Sequence, residues 1–255
     1  MQKVTRRLLI GGGVVLAVLG CLVAVGVGMY LYVTRPLKDG APLASGKVTT
    51  IVTDHYGPVG IAAYMLDLGA GGVGLVDAGM DPKATAINAA LARLGRTTSD
   101  VRVILVTHAH NDHAGGTVAF PDAEVYALAP DVDAIRRRRN AAGAAGPTTA
   151  IKAGEVLNLF GTDIQVFAVP GHTKGSAAYV VHGVLFLGDT AQSMRDGTLG
   201  PNSMTSEDGE TNTRSLRALA EDLKSRGLGV QRIAFGHSGP VDGPDPLLEW
   251  AFSAP

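Results

Sequence analysis

The chain has 255 residues, of which 46% are hydrophobic and 18% charged, too apolar for disorder and long enough to bury one substantial core. Its 22 Lys and Arg against 23 Asp and Glu leave a net charge of −1. That balance excludes a strongly basic nucleic-acid binder or an acidic tail protein.

Leu8 to Val33 is a run of 26 residues without a charge. As a helix rising 1.5 Å per residue it covers about 39 Å, against about 30 Å of bilayer hydrocarbon. The sequence therefore predicts a short flank over 1–7, a transmembrane anchor helix over 8–33, a linker rich in Pro, Gly and Ser over 34–47, and a globular domain over 48–255. A cleaved export signal has an apolar core of only about 7 to 15 residues. This run passes instead into Tyr30, Tyr32, Arg35 and Lys38, the flank of an interfacial anchor. Lys3, Arg6, Arg7 and the amino terminus outweigh Arg35 and Lys38, which predicts a cytoplasmic N-terminus and an extracytoplasmic domain. Thr5 to Ile10, TRRLLI, also resembles a twin-arginine export signal. Cys21 is the single cysteine and lies in this run, so the domain has no internal disulfide. Beyond residue 38 the chain carries 17 basic and 23 acidic residues, and a nucleic-acid partner is not expected for it.

The domain opens with strand-like runs, VTTIVT, VGIAAYMLDL and VGLVDAG, the first two joined by a turn through His55, Tyr56, Gly57 and Pro58. Pro82 to Leu94 spaces Ala84, Ile87, Leu91 and Leu94 three and four apart, which predicts a helix with Pro82 in its first turn. Four later apolar runs each deliver a polar residue at the carboxyl end: VRVILVT leads to His108, DIQVFAVP to His172, VLFLG to Asp189 and VQRIAFG to His237. Glu207 to Arg226 reads as a helix stopped by Gly227. Strands alternating with helices make an α/β domain.

The informative segment is Thr107-His108-Ala109-His110-Asn111-Asp112-His113, which puts three imidazoles and a carboxylate within six residues. Imidazole and carboxylate are the donors that zinc and similar borderline cations take. Adding His172, Asp189 and His237 gives seven candidate ligands. One tetrahedral cation needs three or four, so seven suits two cations sharing a carboxylate.

This ordered set resembles the metallo-β-lactamase fold family of hydrolases, from about Val48 to Val241. The H-x-H-x-D-H run is His108, His110, Asp112 and His113, followed by Gly171-His172-Thr173, Gly188-Asp189-Thr190 and Gly236-His237. The resemblance implies a four-layer αββα sandwich. It implies two Zn2+, or another divalent transition metal, with His108, His110 and His172 on the first, Asp112, His113 and His237 on the second, and Asp189 bridging. Asp77 matches a position that supports the site from behind the ligands. A cation pair lowers the pKa of water from 15.7 to about 7, and Asp112 can steer the resulting hydroxide or take up its proton. The implied activity is hydrolysis of an ester, thioester, lactone or phosphodiester in a small-molecule substrate by a membrane-anchored dinuclear zinc enzyme.

Other readings stay open. Metallo-β-lactamases proper generally carry Ser or Cys where this chain has Asp189. Glyoxalase II resembles the ligand set, although the 18 residues after His237 are few for its glutathione-binding helical domain. Acyl-homoserine lactonases share the ligand set as well. A non-enzymatic zinc-binding module at the membrane is the competing class, and loss of a ligand would mark it. For substrate contact the candidates are His55, in a turn that overhangs the site in such hydrolases, and Lys174. Arg136 to Arg139 must face all around a helix, which reads as a solvated run from which one or two could meet an anionic substrate. His182 reads as a surface turn residue.

Overall fold

The structure is a computed structural model that describes residues 33–253 together with Ala24, Gly26, Gly28 and Met29. The anchor expected over 8–33, including Cys21, falls mostly outside the described residues. Among those, no helix is long and apolar enough to cross a membrane.

The first half of the domain builds a seven-stranded sheet from β1 (Pro42–Leu43), β2 (Val48–Tyr56), β3 (Val59–Asp67), β4 (Val73–Val76), β5 (Val101–Leu105), β6 (Glu124–Leu128) and β7 (Thr148–Ile151), in that spatial order. Pairing is antiparallel from β1 to β4 and parallel from β4 to β7. Helices α1 (Thr85–Arg93), α2 (Asn111–Ala114) and α3 (Ala129–Ala141) lie in its connections. The second half continues through β8 (Val156–Leu159), β9 (Thr162–Ala168), β10 (Ala177–Val181), β11 (Val184–Phe186), β12 (Ala191–Ser193), β13 (Leu199–Pro201), α4 (Gly209–Arg226), β14 (Arg232–Ala234), β15 (Val241–Asp242) and α5 (Asp245–Phe252). Six of these strands form a second sheet in the order β15-β14-β11-β10-β9-β8, and β12 pairs with β13 apart from it.

Three apolar cores separate four layers. Tyr64 and Leu66 of β3 meet Val166 of β9 and Tyr179 of β10 between the sheets. On the other face of the first sheet, Ala63 and Met65 pack with Ile87 and Leu91 of α1 and Ile135 of α3. On the other face of the second, Ala178 and Val180 pack with Leu216, Leu219 and Leu223 of α4. Successive strand residues thus feed opposite cores, as a pleat of period two requires. Strands covered on both faces read as unbroken apolar runs, which is how β3 and β10 look in the sequence.

Residues 34–47, expected to link, pack onto the domain instead. Leu43 is buried, Leu37 packs against the core between the sheets, and Gly40 N–H and Ala41 C=O bond to Thr50. Gly40, at φ 70°, makes the turn that leads into β1, and Pro42 is the first residue of that strand. Pro82 also departs from expectation. The Asp81 carboxylate accepts from Lys83 N and Thr85 N at 2.9 and 2.8 Å and Ala84 is left-handed at φ 45°. The turn this makes holds Pro82, and the helix begins at Thr85. Helix α4 starts at Gly209 because Asp208 caps it, accepting from Thr211 N at 2.9 Å, and Gly227 ends it at φ 60°.

Candidate metal centre

All four ligand-bearing turns follow strands: His108 to His113 after β5, His172 after β9, Asp189 after β11 and His237 after β14. The sheet order brings these ends to one edge of the sandwich, where the seven side chains gather into two groups. His108, His110 and His172 form one, and Asp112, His113, Asp189 and His237 form the other. Within each group the donor atoms lie within 4.8 Å of one another.

In the first group His110 Nδ1 sits 3.1 Å from His108 Nε2 and 3.0 Å from His172 Nε2. A neutral imidazole has only one N–H to give, so three nitrogens facing one another suit a shared cation better than shared protons. In the second group Asp112 Oδ2 and Asp189 Oδ2 each lie 3.1 Å from His237 Nε2. His113 Nε2 faces Asp189 Oδ1 at 3.2 Å, yet both atoms are buried without a properly angled hydrogen bond. They point toward a common place rather than at each other. Asp189 also reaches the first group, with Oδ2 at 3.7 Å from His172 Nε2. The donor set therefore fits two divalent cations joined by one carboxylate.

The protein charges divide the same way. Burial, then the neighbouring His113, holds the His108 pKa well below its ordinary value, and burial brings His172 down to about 4. These rings present free lone pairs at neutral pH. Burial opposes a proton on His113 too, but Asp189 and Asp77 carry it well above the ordinary value. His237 is likewise pushed up to about 10, against burial, by Asp189 and Asp112. Burial alone would raise Asp189, and the facing His113 and His237 hold it well below the usual carboxylate range instead.

Groups behind the ligands set their aim. Asp77, just beyond β4 at φ 59°, accepts from Thr107 N at 2.7 Å and Thr107 Oγ1 at 2.8 Å, and lies 2.7 Å from His113 Nδ1. That contact turns His113 Nε2 toward the cluster. His237 Nδ1 donates to Gly60 O at 2.9 Å, with the same effect. Gly236 has a steric reason: a Cβ there would run into Asp189 Oδ1 and His113 Cε1. Asp77→Asn is expected to weaken metal binding by about 10 to 100-fold, measured by competition with a chromogenic chelator. Unchanged affinity would remove Asp77 from this role.

Asp131, in the first turn of α3, escaped the sequence reading. Its Oδ2 accepts from Ala109 N at 2.7 Å and from Thr173 Oγ1 at 2.9 Å, so one buried carboxylate ties the His108–His110 turn to the residue after His172. Nothing in its local sequence marks it. Arg138 Nη2 donates to Ala109 O at 3.4 Å, and Arg136 pairs with Asp133 at the surface. Arg139 is buried and gives its guanidinium to five carbonyls, those of Thr117, Phe120, Pro121, Ala123 and Gly146. None of these three arginines lines the cavity above the cluster.

That cavity, of about 340 Å³, is lined by Tyr56, Val59, His110, Asp112, His172, Asp189, Asn202, Thr205 and His237. Tyr56, Val59, Asn202 and Thr205 were not singled out from the sequence. For Tyr56 the signal was its place beside His55 in the hairpin turn. Burial and the nearby Asp112 charge raise the Tyr56 pKa, so its hydroxyl stays protonated. His55 does not line this cavity but an adjoining one. Lys174 is exposed and lines neither. His182, in the turn between β10 and β11, lies 3.1 Å from Asp67 O through its Nε2 at the surface.

Residues 56–237 match the model of the metallo-beta-lactamase superfamily. The hydroxyacylglutathione hydrolase of Aeromonas hydrophila is 36% identical over 113 residues, 43% of this chain and 41% of that protein. The one from Yersinia pestis is 37% identical over the same shares. The chain thus spans about two fifths of the length of the curated relatives it matches. Among solved structures, a metallo-beta-lactamase family protein from Thermus thermophilus superposes with a TM-score of 0.59 at 27% identity, over 80% of this chain and 77% of that one. The DIM-1 metallo-beta-lactamase reaches 0.63 at 19% identity over 86% and 97%, a likeness of fold. With more than half its length in the family match and both ligand groups assembled, the chain belongs to the metallo-beta-lactamase superfamily.

Proposed function

We propose that this protein is a dinuclear zinc hydrolase acting on an ester, thioester, lactone or phosphodiester bond of a small molecule. The observation that carries the reading is the pair of ligand groups at the base of an open cavity whose lining holds no Ser or Cys nucleophile. His108, His110 and His172 would hold one cation, Asp112, His113 and His237 the other, and Asp189 would join them. Bound there, the pair supplies Lewis acidity and a water acidified to a pKa of about 7. Asp112 borders both the cavity and His237 Nε2, a position from which its carboxylate orients water and accepts a proton. Tyr56, kept protonated, donates a hydrogen bond to substrate oxygen at the cavity rim.

The relatives named hydroxyacylglutathione hydrolase favour a thioester. A β-lactam is disfavoured by Asp189, whose charge occupies the second group, where the anionic nitrogen leaving group would need stabilising. The test is metal analysis joined to a panel of ester, thioester, lactone, phosphodiester and β-lactam substrates. Close to two zinc ions per chain are expected, with β-lactam turnover orders of magnitude below the best of the others. No turnover of any substrate by protein holding both cations would favour the non-catalytic zinc-module reading. β-Lactam hydrolysis exceeding every other class would identify a lactamase.

The 26-residue uncharged run supports a single-pass anchor with the domain outside the cytoplasm. A reporter fused after Pro255 is expected to read extracytoplasmic. A cytoplasmic signal would reverse the orientation.

A further inference from the structure

The uncharged run over 8–33 meets the domain without slack. Val33 O, in its last residue, accepts from Arg195 N at 2.8 Å, Thr34 bridges Met194 in antiparallel fashion, and Arg35 N donates to Ser193 O at 3.1 Å. Arg35 completes the attachment. Its carbonyl accepts from Gly239 N at 2.8 Å and its Nη1 donates to Pro240 O at 2.9 Å. The run therefore ends inside the fold, and no free spacer follows it.

That attachment lies beside the metal cluster. Gly239 and Pro240 follow His237 by two and three positions. A second cavity, of about 310 Å³, is lined by Thr34, Pro36 and Leu37 as well as by Val59 and His237, and the last two also line the cavity above the cluster. Leu37 comes so near Gly60 that a Cβ there would lie 3.1 Å from Leu37 Cδ1, and Gly60 O accepts from His237 Nδ1. Four residue steps separate Val33 from Leu37, which an extended chain covers in at most about 14 Å. The headgroup layer of a bilayer extends about 5 to 7 Å beyond the hydrocarbon on each side. A run that crosses the hydrocarbon and stops at Val33 thus holds the metal edge of the sandwich against the lipid headgroups.

The residues at the mouth suit that surface. Tyr56, which lines the cavity above the cluster, is 51% exposed, and Met204, between the lining residues Asn202 and Thr205 in the chain, is wholly exposed. Tyrosine rings are enriched at the headgroup level of membranes, and an exposed methionine is stabilised by leaving water. No Lys or Arg is among the residues that line this cavity, so it offers no fixed cation to a charged substrate tail.

We propose that the cavity above the cluster opens onto the surface of the bilayer that the run crosses, and that the substrate is a membrane-held amphiphile. Its acyl chain stays in the lipid while its ester or thioester bond reaches the cluster. The proposal rests on the anchor and hydrolase readings and names the substrate class within them. The short tether keeps enzyme and substrate in one thin layer, where the effective concentration is far above that in bulk water. A water-soluble ester gains nothing from the tether.

The test uses the full chain, metal-loaded and reconstituted in phosphatidylcholine vesicles with or without nitroxide-labelled lipid. Met204→Cys and Ser225→Cys, each in a Cys21→Ala background, carry a fluorophore that the nitroxide quenches at close range. Ser225 is the exposed control: Asn212 of α4 bonds to Thr190 O beside the site, and Ser225 lies about 20 Å farther along that helix. Position 204 should be strongly quenched and position 225 hardly at all. In the same vesicles nitrophenyl laurate should be favoured over nitrophenyl butyrate at least about tenfold in kcat/KM. A Gly-Ser spacer of about 30 residues inserted after position 32, spanning about 30 Å, should abolish most of the quenching and of the laurate preference and leave butyrate turnover unchanged. Quenching at 225 equal to that at 204, or none at 204 in protein that floats with the vesicles, would overturn the orientation. A laurate preference that is absent, or that survives the spacer, would overturn the substrate class. Protein that fails to float with the vesicles would overturn the anchor reading and the proposal together. Failure to cleave either ester would count against the hydrolase reading and the substrate class, while the quenching still decides which way the cavity faces.

Discussion

Asp189→Ala is expected to lose metal and hydrolytic activity together, with kcat/KM falling by about 10³ or more, on the order of 4 kcal/mol of barrier. Its carboxylate faces His113, His172 and His237 at 3.1 to 3.7 Å, and among the described residues no other carboxylate pairs with the three-histidine group. Two dications held close together repel, and the charge between them offsets that repulsion. Alanine leaves the imidazoles in place with nothing to join the two groups. Metal content by elemental analysis should drop below two per chain in parallel with the rate. Asp189→Asn separates charge from shape: it preserves the volume and should still fail to hold the full metal complement. A fully loaded, active alanine variant would contradict the bridging role.

Arg139→Met should be the most damaging single change to stability. The side chain is 1% exposed, and burial lowers its pKa from the ordinary arginine value. Its partners are all carbonyl oxygens of the segments from Thr117 to Ala123 and at Gly146. Methionine fills much of the volume but leaves buried carbonyl acceptors unpaired, and each such group costs about 1 to 3 kcal/mol. Total stabilities of domains are about 5 to 15 kcal/mol, so a large share would go. The denaturant midpoint should fall at nearly constant slope. Thr117 lies in the segment just beyond His113, so metal affinity should weaken as well. A stability within about 0.5 kcal/mol of the natural protein, the range of ordinary surface changes, would show that water replaces the guanidinium.

The arginine run shows where sequence reading stops. From the sequence, four adjacent arginines are interchangeable apart from helical phase. The fold makes Arg136 a surface ion pair, Arg138 a donor to Ala109 and Arg139 a buried clasp. Asp131 is a similar case, since its bonds join residues 22 and 42 positions away. Residues 34–47 have a linker's composition, yet their backbone pairs with β2 and with the segment around Met194, which composition does not report.

By itself the sequence determined the α/β class, the donor-rich turn His108 to His113, the strand ends that carry His172, Asp189 and His237, and the long uncharged N-terminal run. These are local properties: alternation and apolar runs follow the pleat, and four of the seven ligands are chain neighbours within six residues. Only the tertiary structure decided how those strand ends meet, that Asp131 ties two ligand turns together, and that Tyr56 borders the cavity while Lys174 does not. Such contacts depend on strand order and register, as in the bond from His237 to Gly60 across 177 positions, and no local periodicity encodes a distance of that kind.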